Sequence, residues 1–133
     1  KHLGVQRLFR DMNRLYSSTL PLFEQDYLPQ GFRWLDHHDA EHSTLAFARY
    51  DSNGQAVYIV CNFTPAPRND FSLGVDNSGS YEVILNTDSS YYWGSNYGTG
   101  EQLMATAQPY QGCDYRLQLN LPPLATLYLR RKE

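Results

Sequence analysis

Tyr115-Arg116-Leu117-Gln118-Leu119-Asn120-Leu121-Pro122-Pro123 is the stretch whose reading decides the fold. Tyr115, Leu117, Leu119 and Leu121 alternate with Arg116, Gln118 and Asn120, and a period of two puts one set on each face of a β-strand. Pro122-Pro123 then removes two backbone donors, so a hydrogen-bonded ladder cannot run through them. Residues 124–130 resume as the last strand.

Working upstream, the same period recurs. Phe32-Arg33-Trp34-Leu35 opens the β part after Gly31, and residues 36–43 form a polar turn. Residues 44–50 and 56–63 flank Asp51-Ser52-Asn53-Gly54, a strong hairpin signal. Residues 71–75 make a shorter strand closed by Asp76-Asn77-Ser78-Gly79, after which Tyr81, Val83 and Leu85 alternate with Glu82, Ile84 and Asn86. Residues 88–101 are rich in Gly, Ser, Asn and Tyr and read as a long irregular loop. Short strands separated by turns predict an all-β fold, an antiparallel sandwich with Greek-key connections.

The N-terminal part has a different period. Val5, Leu8, Phe9, Met12, Leu15 and Tyr16 recur at spacings of three and four, which predicts one apolar helical stripe. So short a helix is marginal alone in water. Its stripe must find a surface, because burying each large residue contributes roughly 1.5–3 kcal/mol. A second short helix is expected through Leu22-Phe23-Glu24-Gln25, with Ser18 or Thr19 as its cap and Pro21 in its first turn. The division is therefore residues 1–28, helical, and residues 29–133, β, with the boundary near residues 28–31. A chain opening on Lys implies a natural start further upstream.

Composition narrows the function classes. Of the 133 residues 41% are hydrophobic and 19% charged, which suits a folded domain rather than a disordered segment. Eleven Tyr, six Phe and two Trp supply large apolar bodies for core or interface. A net charge of −3 argues against a nucleic-acid partner, and Arg130-Arg131-Lys132 reads as a solvated tail. No apolar run is long enough to cross a membrane and no signal peptide is seen, so a cytoplasmic protein is expected. Cys61 and Cys113 fit neither a zinc motif nor a disulfide framework, and Cys61 reads as a small buried hydrophobe. Asn62-Phe63-Thr64 matches a glycosylation acceptor, a chance match given Pro65 after it.

Three constellations invite a chemical reading. His37-His38-Asp39-Ala40-Glu41-His42 holds good metal ligands, but between strands the spacing of His38 and His42 does not make them converge, and an exposed polar turn is expected instead of a metal site. Gly94-Ser95-Asn96-Tyr97-Gly98-Thr99-Gly100 lacks the Lys-Ser/Thr end of a phosphate loop. There is no nucleophile elbow, and Asp36, Asp39, Glu41, Asp70, Asp88 and Glu101 are scattered over turns with no pair singled out, so no catalytic residue and no cofactor is assigned. Tyr91, Tyr92, Trp93, Asn96 and Tyr97 share one loop. Their flat rings suit stacking on glucose and their polar atoms suit hydrogen bonding to it, so these five are the candidate substrate-binding residues. The alternative is that the loop folds onto its own sandwich or against a missing domain.

Five separated motifs carry a resemblance. Gly4-Val5-Gln6-Arg7-Leu8, Gly31-Phe32-Arg33-Trp34-Leu35, Asn62-Phe63-Thr64-Pro65-Ala66-Pro67-Arg68, Leu85-Asn86-Thr87-Asp88-Ser89 and Leu121-Pro122-Pro123-Leu124-Ala125-Thr126-Leu127 resemble, in order, the C-terminal end of bacterial 1,4-α-glucan (glycogen) branching enzymes of the α-amylase superfamily. Tyr92, Gly94-Ser95-Asn96 and Gly98 also fit that family's loop. The match departs at Ala66 and at residues 36–41. The resemblance implies a catalytic (β/α)₈ barrel followed by an all-β C-terminal domain. It implies a glycosyltransferase that cleaves an α-1,4 glucan and transfers the segment to a 6-hydroxyl by a retaining mechanism. None of the barrel motifs occurs here. Residues 1–28 would then be the helical end of the barrel, and residues 29–133 an inactive β domain that supports it and contacts α-glucan. The alternative is an autonomous carbohydrate-binding module. The partners implied are the barrel of the same protein, α-glucan, and a second copy through the helix stripe.

Overall fold

A computed structural model of the chain describes residues 2–25, 28–36, 43–89 and 103–132. The helix α1 spans His2–Ser18, followed by two single 3₁₀ turns, Leu20–Leu22 and Pro29–Gly31. Eight strands follow: β1 Phe32–Asp36, β2 Thr44–Tyr50, β3 Ala56–Asn62, β4 Arg68–Val75, β5 Gly79–Asn86, β6 Leu103–Ala105, β7 Tyr115–Leu121 and β8 Ala125–Arg131. All pairings are antiparallel. The large sheet has the order β1-β2-β3-β8-β5-β6, and β4 pairs with β7 in a two-stranded sheet. The last strand thus returns to lie between β3 and β5, the long crossover expected of a Greek-key sandwich.

Alternation in β7 decides the packing as its sequence predicts. Leu117, Leu119 and Leu121 are buried with Phe71, Leu73 and Val75 of β4, and this inner face closes on Ala46, Ala48, Tyr58, Val60, Leu127 and Leu129 of the large sheet. The opposite face of the large sheet is apolar as well, for Val57 and Ile59 are buried there against Leu22, Leu15 and Tyr128. The central strand β3 is therefore covered on both faces.

Three local readings change. The second helix is a 3₁₀ turn with Thr19 at its N-cap position and Pro21 in its first turn, but no capping side-chain bond. In β5 the register to β8 shifts between Val83 and Leu85, so Val83 is exposed while Ile84 packs on the outer cluster; a bulge turns the following residue over. Arg130 and Arg131 are not a tail but the end of β8, and the Lys132 amide donates to the Ser80 carbonyl at 2.7 Å. The strand β6 is too short for a periodicity to announce it.

Two of the quoted motifs act as clamps. Asn62, fully buried, donates through Nδ2 to the carbonyls of Ala66 and Pro122, both at 3.0 Å, and accepts through Oδ1 from the Thr64 amide at 3.0 Å and hydroxyl at 2.8 Å. The amide is thereby saturated, which also removes it as a glycosylation acceptor. Gly31 sits so close to Gln25 that an added Cβ would lie 2.5 Å from the Gln25 carbonyl oxygen, while the Gln25 side chain donates to the Tyr50 carbonyl at 3.0 Å. Replacing Asn62 with Ala removes the side-chain donor to the carbonyl of buried Pro122, just after β7, and the acceptor of the Thr64 amide in the loop after β3. A loss of about 2–4 kcal/mol of stability is expected in urea unfolding of the Asn62→Ala chain.

Candidate functional site

The five residues proposed from sequence as a glucan contact, Tyr91, Tyr92, Trp93, Asn96 and Tyr97, lie outside the described residues, as does the His37 to His42 run. Asp70 falls in the small sheet and Asp88 just after β5 in the large one. Among the described residues no group of three or more His, Cys, Asp or Glu gathers as a metal site would require. None of their helices is long and apolar enough to cross a membrane.

What the fold does assemble is a polar clamp at the seam between the sheets. Asp76, just after β4, accepts from the Tyr50 hydroxyl at 2.7 Å, the Tyr58 hydroxyl at 3.1 Å and Nη1 of Arg33 at 3.2 Å, and its amide donates to the Tyr58 oxygen at 3.0 Å. Nη2 of Arg33 continues to the Gly112 carbonyl at 2.7 Å. One carboxylate thereby ties β1, β2 and β3 to the end of β4, and Arg33 extends the network to the turn before β7. That turn is pressed against β4: a Cβ on Gly74 would lie 2.4 Å from the Tyr110 carbonyl oxygen. Burial first, then the neighbouring Asp76 charge, pushes the Cys113 thiol up to about 11. Burial likewise raises both phenols, with the hydrogen bond to Asp76 adding to the effect on Tyr50. Groups held this firmly in their neutral forms are poor nucleophiles. The cluster is a structural clamp.

A second assembly is a surface. Phe32 and Trp34 of β1 and Phe47 of β2 stand on the outer face of the large sheet, the Phe32 and Phe47 rings stacked at 5.1 Å and the Trp34 ring edge-on to both at 5.0 and 5.8 Å. Trp34 is nonetheless 48% exposed. The helix tells the same story. At about 100° per residue, Leu15, Leu8 and Met12 occupy one flank of its stripe and Val5, Tyr16 and Phe9 the other. The first three are half-buried; of the second three, Phe9 is 63% exposed and Val5 and Tyr16 are exposed too. The sandwich uses only half of the helix's apolar surface. Exposed aliphatic and aromatic residues in this density are more than a lone soluble domain usually shows. Periodicity announced the stripe; only the packing shows that it has two flanks.

The motifs quoted from sequence meet at one end of the large sheet. The Thr126 amide donates to the Thr87 hydroxyl at 2.9 Å, the Thr87 amide to the Thr126 carbonyl at 3.1 Å and the Leu124 amide to the Thr64 carbonyl at 2.8 Å. The chain leaves β5 at Asn86 under this lattice and re-enters the sheet at Leu103, opposite Tyr81.

The described residues thus form an antiparallel β-sandwich with a leading helix, buried polar clamps and an apolar outer face. Residues 34–132 match the family described as alpha amylase, C-terminal all-beta domain, and the chain belongs to that family. Over 133 residues it is 45% identical to the 1,4-alpha-glucan branching enzyme GlgB of Pseudoalteromonas atlantica, a match covering 99% of this chain and 18% of that protein. The enzymes of the same name from Aquifex aeolicus and Pseudomonas fluorescens are 42% and 46% identical, each match covering 98% of this chain and 21% and 18% of the relative. The chain thus spans about a fifth of the length of the curated relatives it matches. Among solved structures, an alpha-amylase from H. orenii aligns over 76% of this chain and 16% of its own, at 15% identity and a TM-score of 0.42.

The raised phenols set a pH dependence. A group whose pKa is higher in the folded than in the unfolded chain stabilises the fold fully below its unfolded value and loses that contribution as pH rises. Tyr50, Tyr58, Tyr81 and Tyr128 are all raised from the ordinary value of 10.0. Stability should therefore hold to pH 10 and fall steeply above it. Circular dichroism in an alkaline titration should hold to pH 10 and be lost above it; a loss of structure that is complete well below pH 10 would contradict the clamp.

Proposed function

We propose that this chain is the C-terminal β domain of a 1,4-α-glucan branching enzyme, with residues 1–28 as the helical end of the catalytic barrel and residues 29–133 as the accessory sandwich. The observation that carries the reading is the continuity of the match, since 98–99% of the chain aligns at 42–46% identity with one part of branching enzymes. In the whole enzyme the exposed flank of α1 and the Phe32-Trp34-Phe47 surface rest against the barrel, which supplies all the catalytic groups. The parent reaction, cleavage of an α-1,4 glucan and transfer to a 6-hydroxyl, needs no cofactor from this domain. A cytoplasmic location and an α-glucan partner belong to the same reading.

The physical support is energetic. The outer flank of α1 and the aromatic surface together leave six large apolar side chains to be covered. Each gains roughly 1.5–3 kcal/mol on full burial. A neighbouring domain is the economical way to collect that free energy. In its absence a second copy is the alternative outlet, so the isolated chain is expected to self-associate. Sedimentation velocity should show concentration-dependent growth in size, reversed by Phe9→Ser with Trp34→Ser; a strictly monomeric wild-type chain at high concentration speaks against the surface.

Catalysis is tested directly. The purified chain should leave the iodine-complex absorbance of amylose unchanged over hours, and a fall caused by branching would overturn the assignment of all chemistry to the barrel. The rival reading, an autonomous carbohydrate-binding module, is favoured by the Tyr91, Tyr92, Trp93, Asn96 and Tyr97 composition. It predicts retardation in glycogen-containing gels that Trp93→Ala abolishes.

A further inference from the structure

The only Asn-Gly pair in the 133 residues, Asn53-Gly54, stands at the tip of the β2–β3 hairpin, and residues 52–55 are all exposed. It lines a groove between the end of α1, this turn and the ends of β5 and β8, together with buried Thr19 and Asp51 and with Arg131. Gly54 has a φ of +79°, and nothing lies within 4 Å of the place a Cβ would take. With no side chain, its backbone nitrogen is the least shielded nucleophile that can follow an asparagine. Solvent reaches it, and a bond from that nitrogen to Cγ of Asn53 closes an unstrained five-membered ring.

The same turn holds the segment that follows α1. The Ser52 amide donates to Oε1 of Glu24 at 2.6 Å, and the Tyr50 carbonyl accepts from Nε2 of Gln25 at 3.0 Å. Two residues before Glu24, Leu22 is buried against Val57 and Ile59. The turn owes its shape to Asp51. Its Oδ1 accepts from the amides of Asn53 and Gln55, both at 2.9 Å, and its carbonyl accepts from the Gly54 amide at 3.1 Å. The bonds to Gly54 and Gln55 depend on the main-chain length between residues 51 and 55.

We propose that Asn53-Gly54 is a self-modification site, converting with solvent water to isoaspartate, and that the product releases residues 19–25 from the sandwich. The Gly54 nitrogen gives its proton to solvent and bonds to Cγ of Asn53, and Nδ2 takes up a proton and leaves as ammonia. Water then adds to the Asn53 backbone carbonyl carbon of the succinimide and breaks its bond to the Gly54 nitrogen. The chain now runs through Cγ, and the former backbone carbonyl is a free carboxylate. No oxidation or reduction occurs. One methylene has entered the main chain, so Gly54 and Gln55 leave their register with Asp51. The new charge is exposed, with Asp51, Glu82, Arg130, Arg131 and Lys132 lining the same groove, so the lengthened backbone carries the effect. None of this rests on the branching-enzyme reading.

The whole chain, incubated for weeks at neutral pH both folded and in urea, tests this by peptide mapping in a mass spectrometer, with a protein-isoaspartate methyltransferase reporting the product. Isoaspartate is expected first at residue 53. Ring closure breaks the Gly54–Asp51 hydrogen bond, so the folded chain should convert about threefold to tenfold more slowly than the unfolded one. Asn53→Gln, whose longer side chain closes a less favoured ring, should abolish the product. Earlier conversion at the exposed Asn77, or none at Asn53 in the folded chain when the urea sample is complete, overturns the site. Release is read by amide hydrogen exchange on the separated product. The amides of Leu22, Phe23 and Glu24, bonded to the carbonyls of Thr19 and Leu20, should exchange about tenfold faster, with Leu117 and Leu119 unchanged. Asn53→Asp adds the charge without the methylene and should stay within about twofold of the unmodified chain. Unchanged exchange at residues 22–24 in the isoaspartate product, or equal acceleration by Asn53→Asp, overturns the release.

Discussion

The large sheet is apolar on both faces at its centre, and the rest of the molecule answers that constraint. Tyr58 and Val60 of β3 point to one side and Val57 and Ile59 to the other. A strand of this kind is stable only between two covering layers. The β4–β7 pair covers the inner side completely, with Leu73, Val75 and Leu117 fully buried. Among the described residues the outer side is covered around Leu15 and Leu22, while the aromatic residues of β1 and β2 and half of the helix stripe remain partly or largely exposed. The asymmetry between a finished inner face and an unfinished outer one is what the proposed role, a domain resting against another, requires.

Polar groups hold this arrangement in register. Asn62 fastens the β3 exit to Pro122, Thr87 and Thr126 fasten β5 to β8, and Asp76 fastens three strands of the large sheet to the end of β4. Each does so with saturated or nearly saturated hydrogen bonding, which is what makes a buried polar group stabilising rather than costly. The motifs that carry the resemblance in the sequence are therefore largely framework residues. Asn62, Thr87 and the Pro122-Pro123 pair set the geometry of the sheet end.

Much of the architecture was legible beforehand, and the exceptions have physical causes. Seven of the eight strands follow from alternation and turn residues, because a strand half buried in a sandwich writes its period into the sequence. The β6 strand escaped because three residues carry no period. Val83 was misplaced by a bulge that alternation cannot foresee, and Arg130 and Arg131 looked like a tail because a charged edge of a strand has the composition of a solvated end. The candidate site fared differently. The aromatic loop noted in the sequence lies outside the described residues, whereas the groove at Thr19, Asp51 and Arg131 joins three segments far apart along the chain. In sequence Thr19 reads as a helix cap and Asp51 as a turn residue, and neither reading brings the two together.

By itself, then, the sequence determined the all-β class, the leading helix, the hairpin at Asp51 to Gly54 and the family to which residues 34–132 belong. These are local or cumulative properties, carried by periodicity, turn chemistry and motifs in order. Only the tertiary structure decided which flank of the helix is used, that Asp76 gathers two tyrosines and an arginine, and that a buried hydroxyl and carboxylate face a common groove. Those facts depend on which residues distant in sequence become neighbours, and adjacency of that kind arises from packing two sheets and a helix into one body.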